Sequence, residues 1–440
     1  MDSYLEFLTP SAVATVRDFI VSHWEETVRS APADDGTLLE LPRPYTVPCR
    51  RGAFQELYYW DTYFTCLGLI ESGRTDLAAD NARSLLALLD RFGFVPNGNR
   101  TFYLTRSQPP YLAALVRRVA EASGDEGFLR AALPSLRREY DFWRTHRTTP
   151  TGLARYGHHA TRDELLAFHA EIAPRTGLAA DRESVLPQLS RLMAECESGW
   201  DFNPRFDKRT DEFCAVDLNC LLHGYERLFA AHPDVAGEED WAARAEERAA
   251  RLHEFCWDEE RGGFFDFDFV NGRRSPVASC ATFQALWAGV ATPAQAEATV
   301  RQMLPRLEFA FGVAACEVRP DNRRWQWDYP NGWPPNQQTI VAGLARYGYT
   351  EEARRVARKY LATVCRSFQK TGDLWEKYNV EDGTPRAFAE PSYPNSGHYG
   401  EDGAEIATDK PPAMMGWTAG AFMSLLPWAE EGEPRTVFQP

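Results

Sequence analysis

The sequence is short of the features that mark nucleic-acid, membrane and metal proteins. Positive charge is in deficit: 48 Lys and Arg face 63 Asp and Glu, a formal net charge of -15. Nucleic acid and anionic membrane surfaces both require a basic patch, so neither is an expected partner. No run of about 18 apolar residues occurs, which excludes a membrane-spanning helix. The 9 cysteines are scattered, without a CxxC or a Cys/His pair at zinc spacing. That pattern argues against a disulfide framework and a metal site, and suits buried thiols in a reducing compartment. The run Met1–Glu6 has neither a basic nor an apolar region and does not read as a secretory leader. A cytoplasmic location is the expectation. No phosphate loop, no Ser/His/Asp arrangement and no fixed repeat of about 30 to 50 residues is visible. No low-complexity linker divides the chain. One catalytic domain over 1–440 is expected, with 1–50 as an N-terminal helix and leader loop and 430–440 as a loose tail.

What the sequence does have is apolar mass and aromatic rings. Apolar residues make up 44 %, enough for a sizeable core, and 13 Trp, 17 Tyr and 26 Phe are spread along the chain. Aromatic faces suit sugar C–H surfaces, although large cores use them too. Apolar positions at three- and four-residue steps predict helices over 10–29, 56–71, 77–92, 110–122, 127–147 and 163–172. Further helices are expected up to about 195, then over 213–231, 238–257, 278–291, 293–304, 336–348, 350–367 and 412–426. Gly93 reads as the left-handed residue that ends a helix. Arg261–Phe267 has turn chemistry followed by alternation, as in a small hairpin. About a dozen paired helices, several apolar nearly all round, predict an all-α fold: an (α/α)6 barrel, or toroid, with long loops at the active-site end. A monomer or weak homo-oligomer is the expected state.

Five loop clusters carry the chemistry. The first is Gly52–Asp61, where Phe54, Tyr58, Trp60 and Asp61 put rings and one carboxylate at a helix mouth. The second runs from Pro96 to Pro110, where Asn97, Arg106 and Gln108 offer a guanidinium fork and amides for hydroxyls. The third is Glu197–Arg205. Here Asp201 lies between Trp200 and Phe202 and beside Gly199, and a carboxyl packed on an indole has its pKa raised. Such a group stays protonated near neutral pH and can donate. The fourth, Arg324–Pro335, holds three Trp, including Trp327. The fifth, Asp373–Asn379, offers Glu376 with Lys377 beside it. Each has a bland alternative: a capping Asp, a packed aromatic turn, an exposed ion pair. His158 and His159 read as solvated or supporting groups rather than metal ligands. Together the clusters supply a proton donor and a second carboxylate, the pair that glycoside hydrolysis needs.

In order and content these clusters resemble those of the trehalases, the inverting α,α-trehalose hydrolases of glycoside hydrolase family 37. Phe54–Tyr63 is similar to the first family signature. Gln326-Trp327-Asp328 through Pro330-Asn331-Gly332-Trp333 is similar to the second. Ser198-Gly199-Trp200-Asp201 and Glu376-Lys377-Tyr378 resemble the catalytic segments. Val216–Asn219 and Phe255-Cys256-Trp257 also match family positions, and the likeness runs from about residue 48 to 425. The resemblance implies an (α/α)6 barrel, Asp201 as general acid and Glu376 as general base. It also implies sugar subsites lined by Phe54, Tyr58, Trp60, Asp61, Asn97, Arg106, Gln108, Gly199 and Trp327, a small neutral disaccharide or glycoside as substrate, and no cofactor.

Two departures bear on substrate choice. Ala53 stands where the family has Arg before its first signature, so a charged donor is lost unless Arg50 or Arg51 reaches in. Ser396-Gly397-His398-Tyr399 has His in place of an acid. The Arg-containing segment ahead of the catalytic acid has Arg175 and Glu171 as candidates. A related hydrolase of glucosylglycerate, mannosylglycerate or another small α-glycoside is the alternative expectation, and a silent sugar-binding protein on the same scaffold is the third.

Overall fold

The computed structural model describes residues 3–176, 178, 184–237, 239–320, 325–385, 413 and 415–429. In chain order its first helices are α1 (Pro10–His23), α2 (Tyr59–Glu71), α3 (Thr75–Phe92), α4 (Leu112–Ser123) and α5 (Glu126–Arg147). Then follow α6 (Arg162–Thr176), α7 (Leu186–Glu197), α8 (Val216–Ala231), the short α9 (Pro233–Ala236) and α10 (Trp241–Arg251). The chain closes with α11 (Gln284–Trp287), α12 (Pro293–Gln302), α13 (Leu304–Leu307), α14 (Pro334–Arg346), α15 (Thr350–Thr371) and α16 (Gly416–Leu425).

Six of these form a closed inner ring: α2 packs on α4, α4 on α8, α8 on α11, α11 on α14, α14 on α16, and α16 back on α2. Outside it, α3, α5, α10 and α15 each pack against inner members, α1 lies against α15, and α12 against Gly263–Phe264. The result is the (α/α)6 toroid. Burial follows this order. Every residue of α16 is buried, as is every residue of α14 from Pro334 to Leu344. The outer α15 buries one stripe, including Ala353, Val356, Ala357, Tyr360, Leu361 and Val364, and turns its charged residues out. Each larger aliphatic side chain contributes about 1.5–3 kcal/mol on burial, which holds the two rings together.

The tightest approach of two helices decides where the site sits. A Cβ on Gly420 of α16 would lie 1.9 Å from the Phe64 carbonyl oxygen of α2, so only glycine lets these two backbones meet. Asp61 stands in the first turn of α2. The start of α16 holds the segment that carries Glu376: the Trp417 indole N–H donates to the Glu376 carbonyl at 2.9 Å, and the Thr418 hydroxyl to the Trp375 carbonyl at 2.6 Å.

Helix boundaries depart from expectation where side chains recruit backbone elsewhere. Gly93 does end α3 with φ +80°. The helix expected from 213 begins at Val216, because Phe213–Cys214 pair with Phe267–Asp268 as strands. Arg261–Phe267 is not one hairpin. Gly263–Phe264 pair back to Trp257–Asp258, and Phe267–Asp268 also pair forward to Arg273–Arg274. The Asp258 carboxylate accepts from the Arg261 N–H at 2.9 Å and closes the turn early, while the Asp266 carboxylate is drawn to Arg205.

Candidate active site

The five clusters converge at the ring end where the inner helices begin. Trp200 stacks on Trp327 with ring centroids 4.9 Å apart, and Trp327 on Trp333 at 3.7 Å. Trp60 leans against Trp327 at 5.5 Å, and Trp417 meets Trp60 edge-on at 5.8 Å. The backbone joins the same partners, since the Trp327 N–H donates to the Phe202 carbonyl at 3.2 Å. Gly199, at φ +70°, is where the chain passes the Trp60 ring: a Cβ there would stand 2.8 Å from Cε2. The stack therefore runs from the Asp201 segment to the Glu376 segment, where the Lys377 ammonium sits 4.6 Å over the Trp333 ring and pairs with the Glu376 carboxylate.

Charge from both segments acts on Asp61. Its carboxyl is pushed up to about 8, first by burial, then by the negative charge of Glu376, and further by that of Asp201. Carboxylates far apart along the chain thus act on one buried acid. Asp61 is 7 % exposed and Glu376 5 %, while Asp201 is half-buried. The dry, raised carboxyl that the sequence put at Asp201 therefore has a counterpart in Asp61, which stays neutral at pH 7.

The remaining subsite candidates surround this group. The Trp60 N–H donates to Gln108 Oε1 at 3.2 Å. Tyr58 meets Tyr103 hydroxyl to hydroxyl at 3.0 Å and donates to Glu56 at 2.9 Å, and Phe54 meets Tyr58 edge-on at 5.7 Å. A bridge between Tyr58 and Gly98 brings Asn97 alongside, and the Asn97 N–H donates to the Arg106 carbonyl at 3.0 Å. Arg106 is 9 % exposed and lies against the Tyr103 and Phe168 rings at 5.3 and 5.9 Å. No carboxylate pairs with it among the described residues, and its Nε–H has no acceptor there. A buried guanidinium left with spare donors is suited to ligand oxygens.

Other residues do not join. Arg50 pairs with Asp373 at 3.0 Å and with Glu26 at 3.2 Å, so it braces the Glu376 segment from outside instead of replacing the donor absent at Ala53. Arg51 is exposed. His158 binds the Ser190 hydroxyl at 2.7 Å and His159 the Leu104 carbonyl, which makes both of them loop fasteners. The side chains of Glu171 and Arg175, and the whole of Arg324 and Ser396–Tyr399, lie outside the described residues.

Buried charges that sequence reasoning passed over hold the loops in place. Glu197 accepts two bonds from Arg147 at 2.7 Å, one from the Ser107 N–H at 3.0 Å and one from the Gly157 N–H at 2.6 Å. It thereby ties the Arg106–Gln108 loop to the start of the Asp201 loop. Arg205 binds Asp217 and Asp266, each at 2.8 Å, and lies 4.4 Å over the Trp200 ring. Glu195 accepts from the Asn203 N–H at 2.7 Å, and burial lifts its carboxyl to about 8, helped by the charge on Asp201. The spacing Glu195–Glu197 was the only sequence signal, and a helix surface would show the same.

A helical toroid that gathers carboxyl groups and stacked indoles at one end has the parts of a carbohydrate-hydrolysing enzyme. The family model described as Trehalase matches residues 5–429. A curated periplasmic trehalase of Xanthomonas campestris pv. campestris (strain B100) is 33 % identical, covering 93 % of this chain and 73 % of the relative. Among solved structures, the neutral trehalase of Saccharomyces cerevisiae superposes with a TM-score of 0.73 at 28 % identity, over 94 % of this chain and 80 % of that one. A GH63 mannosylglycerate hydrolase from Thermus thermophilus gives a TM-score of 0.62 at 18 % identity, over 93 % and 99 %, a likeness of fold alone. The chain belongs to the trehalase family and is a glycoside hydrolase.

The expected cytoplasmic location is corrected by the same comparison, because the curated relative at 33 % identity is named periplasmic. Thiol count misled because eight of the nine free cysteines are buried. Burial pushes the thiols of Cys49, Cys66 and Cys256 up and keeps them protonated. Such thiols are inert, and so say nothing about the redox state outside the protein.

Proposed function

We propose that this enzyme hydrolyses α,α-trehalose to two glucose molecules with inversion. The observation that supports the reading is the indole stack that runs from the Asp201 segment through Trp327 and Trp333 to the Glu376 segment, with the buried Asp61 in the first turn of α2 beside it. Asp201 gives its proton to the oxygen between the sugars as that bond breaks. Glu376 takes a proton from a water, which attacks the anomeric carbon from the opposite face. That geometry requires carboxyl groups about 6.5–9.5 Å apart, the span that leaves room for the water. Asp61, neutral near pH 7, donates a hydrogen bond to a sugar hydroxyl. Arg106, Asn97 and Gln108 supply further donors, and Phe54, Tyr58, Trp60 and Trp327 the ring faces. The names of the relatives support trehalose as substrate, and that of the bacterial one supports a periplasmic location. The whole chain serves as one catalytic unit.

The test is trehalose hydrolysis followed by NMR at early times. Inversion yields one β- and one α-glucose per trehalose, and release of α-glucose alone would refute the mechanism. Ala53, with Arg50 engaged elsewhere, motivates a panel of small α-glycosides beside it. A glycerate glycoside turned over faster than trehalose would overturn the substrate assignment. Release of activity from the native host by osmotic shock tests the location.

A further inference from the structure

A cavity of about 630 Å³ lies between α4, α8, α11 and α14. Its walls run along α4 from Ala113 to Glu121, with Pro110 ahead of it, and along α8 from Leu221 to Ala231, and reach Trp287 and Gly289 at the close of α11 and Arg346 at the end of α14. None of the side chains named for the active site lines it. In a chain of net charge -15, this mouth brings together three guanidinium groups, those of Arg117, Arg227 and Arg346.

These cations are incompletely used. Arg117 pairs with Glu121 at 2.9 Å, but Arg227 and Arg346 have no carboxylate partner among the described residues. Arg346 places one nitrogen 3.3 Å from the Trp287 carbonyl, which answers the negative end of that short helix, and its other donors remain. Burial first, and then the charges of Arg117 and Arg227, pull the Arg346 guanidinium below its usual range. Deeper in, His223 is 7 % exposed and its Nδ1 has no protein partner, while the Trp287 indole N–H, 2 % exposed, donates to nothing among the described residues. A buried indole N–H without an acceptor is costly, and a ligand oxygen would offset that cost. Two carboxylates also line the mouth. Glu121 is taken by Arg117, and Glu126 lies 3.3 Å from His232 with two-thirds of its side chain in solvent.

We propose that this cavity binds a small phosphorylated molecule, its phosphate held by Arg227 and Arg346 and its carbon body lying against Trp287 and Leu221. Guanidinium forks match tetrahedral oxyanions in bidentate fashion, which favours phosphate over a single carboxylate. The volume falls in the range of ligand pockets and exceeds what a bare ion fills. The proposal stands independently of the substrate assignment.

Isothermal titration with glucose 6-phosphate, and separately with inorganic phosphate, tests it at fixed ionic strength. The expected result is one saturable site per chain for glucose 6-phosphate, weakened about tenfold or more in Arg227→Gln and in Arg346→Gln. Phosphate binding more weakly than glucose 6-phosphate supports a ligand with a carbon body, and equal binding would overturn that part of the proposal and leave the free ion as the ligand. Both variants should keep phosphate-free turnover. Arg227 is exposed, so its variant folds even if Arg346→Gln does not. No saturable binding of either probe, binding unchanged in Arg227→Gln, or displacement by saturating trehalose in the Asp201→Asn protein would overturn it.

Discussion

Asp61→Asn should make the protein more resistant to unfolding as pH rises while crippling turnover. The carboxyl of Asp61 is held at about 8 against an ordinary value of 3.8, because burial and the charges of Glu376 and Asp201 oppose its ionisation. The folded chain therefore keeps a proton that the unfolded chain releases. The stability linked to this group is fully present below pH 4 and is lost as pH climbs towards 8. At pH 7 the loss is about 4 kcal/mol, at roughly 1.4 kcal/mol per unit. For a chain of this length that corresponds to a Tm change of about 4 °C. An asparagine does not titrate. The Tm of the variant relative to the parent should rise by about that amount between pH 4 and pH 7 and level off past 8. Thermal unfolding across this pH series is the assay, with kcat/KM measured on the same samples. Activity should drop by about tenfold or more, since the amide meets the sugar hydroxyl with different donors and acceptors. A Tm difference that is constant across pH, or that shrinks as pH rises, would refute the reasoning whatever the activity does.

Other outcomes are expected from the same geometry. Asp201→Asn and Glu376→Gln should each lower kcat by about 10²–10⁴ with little change in Tm, read by glucose release and calorimetry. Gly199→Ala should cost about 1–2 kcal/mol for its left-handed backbone. Its Cβ also displaces the Trp60 ring, so kcat should fall by about 100-fold, and wild-type kinetics would show the ring moves freely. Arg147→Met leaves the Glu197 carboxylate buried without its cation and should destabilise the protein by about 3–5 kcal/mol in urea unfolding.

Much of the fold was legible because helices announce themselves locally. The stripe of α15, the left-handed stop at Gly93 and the apolar length of α14 are properties of neighbouring residues. The hairpin expected at Arg261–Phe267 failed for the opposite reason. Its strands find partners at Trp257, Phe213 and Arg273, and no pattern inside that short run could choose among them. Candidate site residues were legible as clusters of ring, carboxylate and amide. The residues that hold that set were not. Glu195, Glu197 and Arg205 look like surface charges in the sequence and become buried anchors only when α5, α8 and the loops enclose them.

The amino-acid sequence by itself determined a helical protein of the trehalase kind, together with an inventory of candidate reactive side chains. Periodicity, capping and short motifs are written within a few residues of each other, and the chain needs no partner to express them. Tertiary structure alone decided that Asp61 feels both Asp201 and Glu376, that Arg50 is spent on Asp373, and that Arg117, Arg227 and Arg346 gather at one cavity. Charge and burial act through space over a few ångströms, and distance along the chain carries no record of which groups will come that near.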